Sequence, residues 1–109
     1  MERISLKMYI YSLSDLDDNV FYVGQSKNPH FRLGAHIANS HLLKNHKDEI
    51  IAKICNDGFF PKLNILEQID VDLSSKKSIF NVSDREAYWI STFPNLSNIQ
   101  KRIVKLKPE

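Results

Sequence analysis

The sequence has a single cysteine and no long apolar run, and these two shortages exclude several classes of protein. Cys55 alone cannot form an internal disulfide or a cysteine-based zinc site, so we expect a small buried residue in a reducing compartment. No apolar stretch approaches the ~20 residues that span a bilayer, and residues 1–5 do not resemble a signal peptide. We therefore expect an intracellular protein, cytoplasmic or associated with the nucleoid, with no membrane partner.

Acidic residues are also missing from one part of the chain. Residues 19–47 contain no Asp or Glu, although the net charge of the whole chain is only +2. The same segment contains several basic and titratable side chains: Lys27, His30, Arg32, His36, His41, Lys44, His46 and Lys47. Local positive charge attracts polyanions such as nucleic acids. From charge alone, however, an ordinary solvated surface is the simpler interpretation.

The size of the chain limits its organisation. A length of 109 residues and a hydrophobic content of 42% suit one compact domain with a small core. We expect a single domain over residues 1–109, with its core at about 7–100. The last segment, 101–109, is expected to be a basic tail that contains Lys101, Arg102, Lys105 and Lys107.

Patterns of apolar and turn residues predict three strands. Residues 7–13 and 20–24 combine the aromatic and β-branched residues that are typical of strands. The polar residues at 15–19 are suited to a turn, so the two strands are expected to form a hairpin. A third strand is predicted at 62–69, where apolar residues alternate with polar ones.

Capping residues and helical periodicity predict the helices. Asn28 is a good N-cap and Pro29 suits the first helical position, so a helix is expected to begin there. Apolar spacing predicts two more helices, at about 43–56 and 83–93. The segment 70–81 fits either a loop or a short helix. The expected fold class is α/β (α+β), with a small three-stranded antiparallel sheet flanked by helices.

One stretch of the chain resembles a known family. Tyr22-Val23-Gly24 is followed by Arg32 and His36 in an Arg-x-x-x-His spacing. This order is similar to the second half of the GIY-YIG nuclease signature. Residues four apart on a helix point from one face, so Arg32 and His36 are expected to lie together.

Other parts of the chain extend this resemblance from about residue 9 to residue 98. Tyr9-Ile10-Tyr11 resembles the first half of the signature, with Tyr9 in the place of the family's glycine. Either Tyr9 or Tyr11 can be the motif tyrosine, and the sequence leaves that choice open. Later counterparts are Glu86, within Glu-x-x-Trp-Ile, and Asn98.

The resemblance implies roles for five residues in phosphodiester hydrolysis. Glu86 would hold one Mg²⁺ or Mn²⁺, since Mg²⁺ keeps much of its water and needs few carboxylates. Arg32 would contact the phosphate with its planar donor fork. Tyr11 would act as the general base or its relay, with His36 as its hydrogen-bond partner or as the proton acceptor itself. Tyr22 would orient the water or the phosphate.

Three further residues are candidates for contacts with substrate: Tyr9, Lys27 and Asn98. Lys27 lies at the strand-to-helix turn, where a solvated lysine is equally plausible. Asn98 would support the site through its amide, and Asn95 is the competing assignment. Loop capping is the ordinary explanation for both asparagines.

The catalytic candidates also have ordinary structural explanations. Ser83 and Glu86 match a capping box, which would make the glutamate a structural residue at a helix start. Arg32 fits an exposed helix cation. Strand tyrosines commonly pack their rings and leave the hydroxyl at the rim.

The resemblance implies a metal-dependent endonuclease that hydrolyses phosphodiester bonds, with DNA as the expected substrate because the family mostly cuts DNA. Target choice would then come from DNA structure, a partner protein or a homodimer. Two other functions fit the residues: an inactive nucleic-acid-binding module of the same fold, which the substitution at Tyr9 keeps open, and a protein-interaction domain. The sequence does not indicate sequence specificity, nicking against double-strand cleavage, or biological role.

Overall fold

The computed structural model describes residues 5–94 and 96, and this part of the chain forms one sheet with helices on both faces. Its strands and α-helices are β1 (Ser5–Ser14), β2 (Val20–Ser26), α1 (Pro29–Asn39), α2 (His46–Asn56), β3 (Lys62–Asp72) and α3 (Lys76–Thr92). A 3₁₀ turn at Ser40–Leu42 separates α1 from α2. The described strands are antiparallel in the order β2-β1-β3, which confirms the predicted α+β class.

The central strand β1 determines which residues share a face of the sheet. Successive residues of a strand point to opposite faces, so Ile10 and Tyr11 point apart. Ile10 lies opposite Gln25 on β2, and Tyr11 lies opposite Gly24. Gln25 therefore shares the face of Ile10, and Gly24 shares the face of Tyr11.

Each face of the sheet has its own hydrophobic core. Ile10 packs in a cluster with Val82 and Ile90, which belong to α3. Tyr11 packs in a second cluster with Ile51 and Ile54 of α2, and partly buried residues of α1 lie against it. The helix α3 therefore covers one face, while α1 and α2 cover the other.

A β-bulge in β3 breaks the regular pairing beside the centre of the sheet. Ile10 pairs with Glu67, but the next residue, Tyr11, pairs with Ile65, so Leu66 is the extra residue. This bulge leaves Glu67 opposite Ile10, on the face covered by α3. There the carboxylate accepts hydrogen bonds from the side chains of Arg85 and Trp89 of α3.

Side-chain caps fix the beginnings of α1 and α2. The side chain of Asn28 accepts from the N–H of Phe31 at 3.2 Å, which confirms the predicted start of α1. The second helix begins at His46 rather than near residue 43, because Leu43 has a left-handed backbone with φ of 51°. Asn45 then caps α2 by accepting from the N–H of Asp48 at 2.9 Å.

The third helix begins earlier than predicted. It starts at Lys76, where the side chain of Ser75 accepts from the N–H of Ser78 at 3.2 Å. The predicted capping box of Ser83 and Glu86 is therefore wrong, because Ser83 lies inside the helix. None of the helices in the described part of the chain is both long and apolar enough to cross a membrane.

Candidate active site

Tyr11, Tyr22 and His36 meet on the face of the sheet that α1 and α2 cover. The hydroxyl of Tyr11 lies 2.9 Å from Nε2 of His36. The ring of Tyr22 meets the His36 ring edge-on, with 5.2 Å between centroids, and lies 6.2 Å from the Tyr11 ring. Tyr11 is 1% exposed and His36 is 5% exposed. The strands β1 and β2 and the helix α1 thus each supply one member of a buried cluster.

Gly24 makes room for the tyrosine hydroxyl in this cluster. A Cβ atom at this position would lie 2.7 Å from Oη of Tyr11 and 2.9 Å from Cε2 of Tyr22. Both distances are shorter than a carbon atom tolerates, so a larger residue would displace one of the two rings. The glycine that follows Tyr22-Val23 is therefore explained by the space that Tyr11 occupies.

Arg32 adds an exposed positive charge beside the buried hydroxyls. Burial raises the pKa of both Tyr11 and Tyr22, and the positive charge of Arg32 acts against this rise. A hydrogen-bonding effect of Arg32 on the hydroxyl of Tyr11 also lowers the pKa of that tyrosine. Because Arg32 itself is exposed, an incoming anion can reach its guanidinium next to the two tyrosines.

The other side of His36 faces a buried ion pair of α2. Nδ1 of His36 lies 3.2 Å from Nζ of Lys47, which in turn lies 3.1 Å from Oδ1 of Asp48. Burial and, after it, the positive charges of Lys47 and Arg32 together lower the pKa of His36 to about 4. His36 is therefore a neutral imidazole at neutral pH.

Glu86 of α3 lies on the other face of the sheet from this cluster. Its Oε1 accepts a hydrogen bond from Nε2 of Gln25 at 3.0 Å, on the α3 face of the sheet. Burial is the main cause that raises the pKa of Tyr22, and the charge of Glu86 raises it further. Since β2 is an edge strand, Glu86 and Arg32 act on Tyr22 from the two sides of an open sheet edge.

The remaining predicted site residues are not part of this cluster. Tyr9 shares the face of Tyr11 but lies opposite Ser26, and it is only partly buried. Lys27 is exposed in the turn between β2 and α1, as predicted. The predicted Asn98, its alternative Asn95 and the basic segment 101–109 lie outside the described residues.

The donors at this edge fit one hard cation held mainly by water. Within residues 5–94 and 96, no group of three or more His, Cys, Asp or Glu side chains could hold a metal ion. Glu86 is instead a single, partly buried carboxylate, and Gln25 fixes one of its two oxygens. Mg²⁺ commonly binds through one or two carboxylates and keeps several waters, so this donor set suits it.

Sequence reasoning missed three residues of this arrangement: Gln25, Lys47 and Asp48. A signal for two of them was present, because Asn45-x-x-Asp48 has the spacing of a capping box, with Asp in place of Glu. That spacing places Lys47 in the first turn of α2. The pairing of Gln25 with Glu86 depends on strand register and helix packing, which leave no such local signal.

Comparison with known proteins found one matching family. A model of the GIY-YIG catalytic domain matches residues 7–102. The chain belongs to the GIY-YIG family. Membership in the GIY-YIG family implies nuclease activity in general, with a nucleic acid as substrate, and GIY-YIG nucleases generally depend on a metal ion. No curated protein and no solved structure matches the chain.

Proposed function

We propose that this GIY-YIG protein is a metal-dependent endonuclease that hydrolyses phosphodiester bonds in DNA. One arrangement supports the proposal. The edge strand β2 carries Tyr22, whose ring contacts His36 of the Tyr11–His36 pair, and Gln25, which binds the carboxylate of Glu86 on the other face. The charges of Arg32 and Glu86 both affect the pKa of Tyr22. Cation, carboxylate and hydroxyls are the groups that binding and attack of a phosphodiester require.

Substrate binding at this edge is assigned to exposed cations. The guanidinium of Arg32 stays charged throughout and offers two parallel N–H donors to phosphoryl oxygens. It therefore stabilises negative charge as it builds up on the phosphate. Lys27, exposed at the start of α1, is positioned to contact a neighbouring backbone phosphate.

Tyr11 is proposed as the motif tyrosine that handles the proton of the attacking water. Of the two candidates it is the one bonded to His36 and in ring contact with Tyr22, whereas Tyr9 lies outside that cluster. Burial raises its pKa, so Tyr11 is protonated in the free protein at neutral pH. It can act as a base only after it has lost its own proton to solvent, which positive charge beside it favours, and the charge of Arg32 acts in this direction.

Glu86 is proposed to hold the divalent ion. Its second carboxylate oxygen is available beside the one that Gln25 fixes. A bound Mg²⁺ or Mn²⁺ supplies positive charge against the scissile phosphate and the departing oxygen. The hydrogen bond from Gln25 fixes one oxygen of this carboxylate. Glu86 would hold the ion, and Arg32 would bind the phosphate.

Plasmid nicking tests this function. The wild-type protein is expected to convert supercoiled DNA to the nicked form with Mg²⁺ or Mn²⁺ and to stop when a chelator is added. Arg32→Ala and Glu86→Gln should each slow cleavage by about a hundredfold or more. Glutamine at position 86 still accepts the hydrogen bond from Gln25, so it removes the charge while preserving the local packing.

Matched controls come from exposed charges of α2. Lys53→Ala and Glu49→Ala change one cation and one carboxylate away from the site and should cleave like wild type. Cleavage that survives the chelator or the Glu86→Gln change would contradict the assignment of the metal site. DNA binding without any cleavage would instead identify an inactive module of the same fold, and absence of DNA binding would favour an interaction domain.

A further inference from the structure

Both ring nitrogens of His36 are engaged, and their partners determine where the ring proton lies. Nδ1 lies 3.2 Å from the ammonium of Lys47, and Nε2 lies 2.9 Å from the hydroxyl of Tyr11. An ammonium group has three donors and no acceptor. Nδ1 must therefore be the bare nitrogen that accepts from Lys47, and the single proton of the neutral ring belongs on Nε2.

Lys47 is held in place for this contact by the first turn of α2. Its side chain is 16% exposed and lies 3.1 Å from Oδ1 of Asp48, while Oδ2 of Asp48 accepts from the N–H of Lys44 at 3.0 Å. Burial alone would raise the pKa of Asp48, but the hydrogen bonds from Lys47 and Lys44 outweigh it and lower the pKa. The carboxylate of Asp48 thus holds the Lys47 side chain in place by an ion pair, and Asn45 fixes the turn that carries both.

We propose that Lys47 is a positioning residue that fixes the Nε2–H tautomer of His36, so that the imidazole donates to the oxygen of Tyr11. Its meaning for catalysis rests on the proposed nuclease function. In this arrangement His36 does not take the proton of Tyr11. The Tyr11 O–H is turned away from the ring, toward Tyr22 and the substrate edge, and its oxygen gains a fixed N–H donor.

The other groups around His36 do not determine the tautomer. Those that face it from the packed elements are Tyr11 of β1, Tyr22 of β2, Arg32 of α1, and Lys47 and Asp48 of α2. A tyrosine hydroxyl is both donor and acceptor, so Tyr11 alone accommodates either tautomer. In the described part of the chain, Lys47 is the partner of Nδ1. An ammonium group can only donate, so this contact fits only the Nε2–H tautomer.

Long-range ¹H–¹⁵N NMR spectra of the whole protein test the tautomer without any activity assay. A protonated and a bare ring nitrogen have clearly different ¹⁵N shifts, and the His36 signals are assigned by their loss in His36→Asn. Wild type should show the Nε2–H form at neutral pH. Lys47→Met should shift the population toward Nδ1–H, because the Tyr11 O–H can then donate to Nε2, whereas Lys47→Arg should retain Nε2–H.

Lys53→Met is the matched control, since it makes the same change at an exposed position of the same helix and should leave the tautomer unchanged. Cleavage kinetics add a second readout. Lys47→Met should lower kcat by about tenfold with KM unchanged and move the rising limb of the pH–rate profile to higher pH. Lys47→Arg should restore part of kcat.

Two results would overturn the inference: an Nδ1–H ring in wild type, or an unchanged tautomer in Lys47→Met. These outcomes are separate from the fate of the nuclease proposal. A protein that never cleaves but shows the Nε2–H ring would disprove the proposed function and support the role of Lys47. Cleavage by a protein whose His36 ring is Nδ1–H would support the proposed function and disprove the role of Lys47.

Discussion

At the scale of single residues, Gly24 leaves the space into which Tyr11 and Tyr22 pack. Gly24→Ala places a methyl group against the hydroxyl of Tyr11 and the ring of Tyr22. We expect a loss of about 1–3 kcal/mol in the free energy of unfolding, because crowding a packed site forces side chains off their rotamers. Urea denaturation measures the loss, and cleavage should fall as Tyr11 is displaced.

A second glycine provides the control for this substitution. Gly34 lies in α1, and a Cβ there meets no atom within 4 Å. Gly34→Ala should therefore stabilise the protein by up to about 1 kcal/mol, since alanine favours a helix over glycine. Equal changes in stability in Gly24→Ala and Gly34→Ala would mean that the contacts of Gly24 do not cause the loss.

His36 makes stability depend on pH in a defined window. Burial lowers its pKa from an ordinary value near 6.5 to about 4 in the folded protein. The unfolded chain therefore binds a proton first as pH falls, so the folded state is favoured fully above pH 6.5 and loses that advantage between 6.5 and about 4. The loss is of the order of 3 kcal/mol, at about 1.4 kcal/mol for each unit of pKa. Urea midpoints across this range measure it.

His36→Asn should flatten the dependence in this window, whereas His30→Asn, at an exposed position of α1, should leave it unchanged. The carboxylate of Asp48 contributes at lower pH. Its lowered pKa means that its stabilising effect is lost only as pH falls below its ordinary value of 3.8. A steep fall in stability near pH 6 that persists in His36→Asn would rule out His36 as the source.

At the scale of elements, the beginning of α3 distinguishes two candidate serine caps. Ser75→Ala removes the side chain that accepts from the N–H of Ser78 and should cost about 1 kcal/mol of stability. Ser83→Ala changes an exposed residue inside the helix and should be neutral or stabilise by a few tenths of a kcal/mol. Thermal or urea unfolding of the two variants measures both changes in stability. A larger loss in Ser83→Ala than in Ser75→Ala would instead support Ser83 as the cap.

Local sequence signals predicted those elements whose ends depend on nearby residues. Asn28 and Pro29 predicted the start of α1 because a cap acts within one turn. The capping box predicted at Ser83 and Glu86 is wrong because the same spacing also occurs inside a helix, where the backbone N–H groups are already hydrogen-bonded. The bulge at Leu66 left no signal either, since it reflects how β3 pairs with β1.

Contacts within the candidate site were easier to predict when the residues lie close together in the sequence. Tyr22, Arg32 and His36 come from one continuous strand-to-helix stretch, so their meeting follows from the chain itself. Lys47 belongs to another helix and reaches His36 only because α1 and α2 pack against each other. No periodicity or residue spacing in the sequence predicts how these two helices pack.

At the scale of the whole molecule, the proposed site combines groups from both faces of one sheet. The face that α1 and α2 cover contains Arg32 and the cluster of Tyr11, Tyr22 and His36. The layer on the other face, with α3, supplies Glu86 and has its own core around Ile10. Loosening of the α3 layer would therefore withdraw the carboxylate that is proposed to bind the metal ion, and it would leave Tyr11 bonded to His36.

The single tryptophan of the chain gives that layer an optical signature. Trp89 follows Glu86 on α3, donates its indole N–H to Glu67 at 2.8 Å and stacks on Phe93. Undocking of α3 breaks the contact of this indole with Glu67 of β3. Tryptophan fluorescence therefore reports on the layer that carries Glu86. When tryptophan alone is excited, the tyrosines are silent, so the undocking of α3 can be followed by itself without attaching a dye.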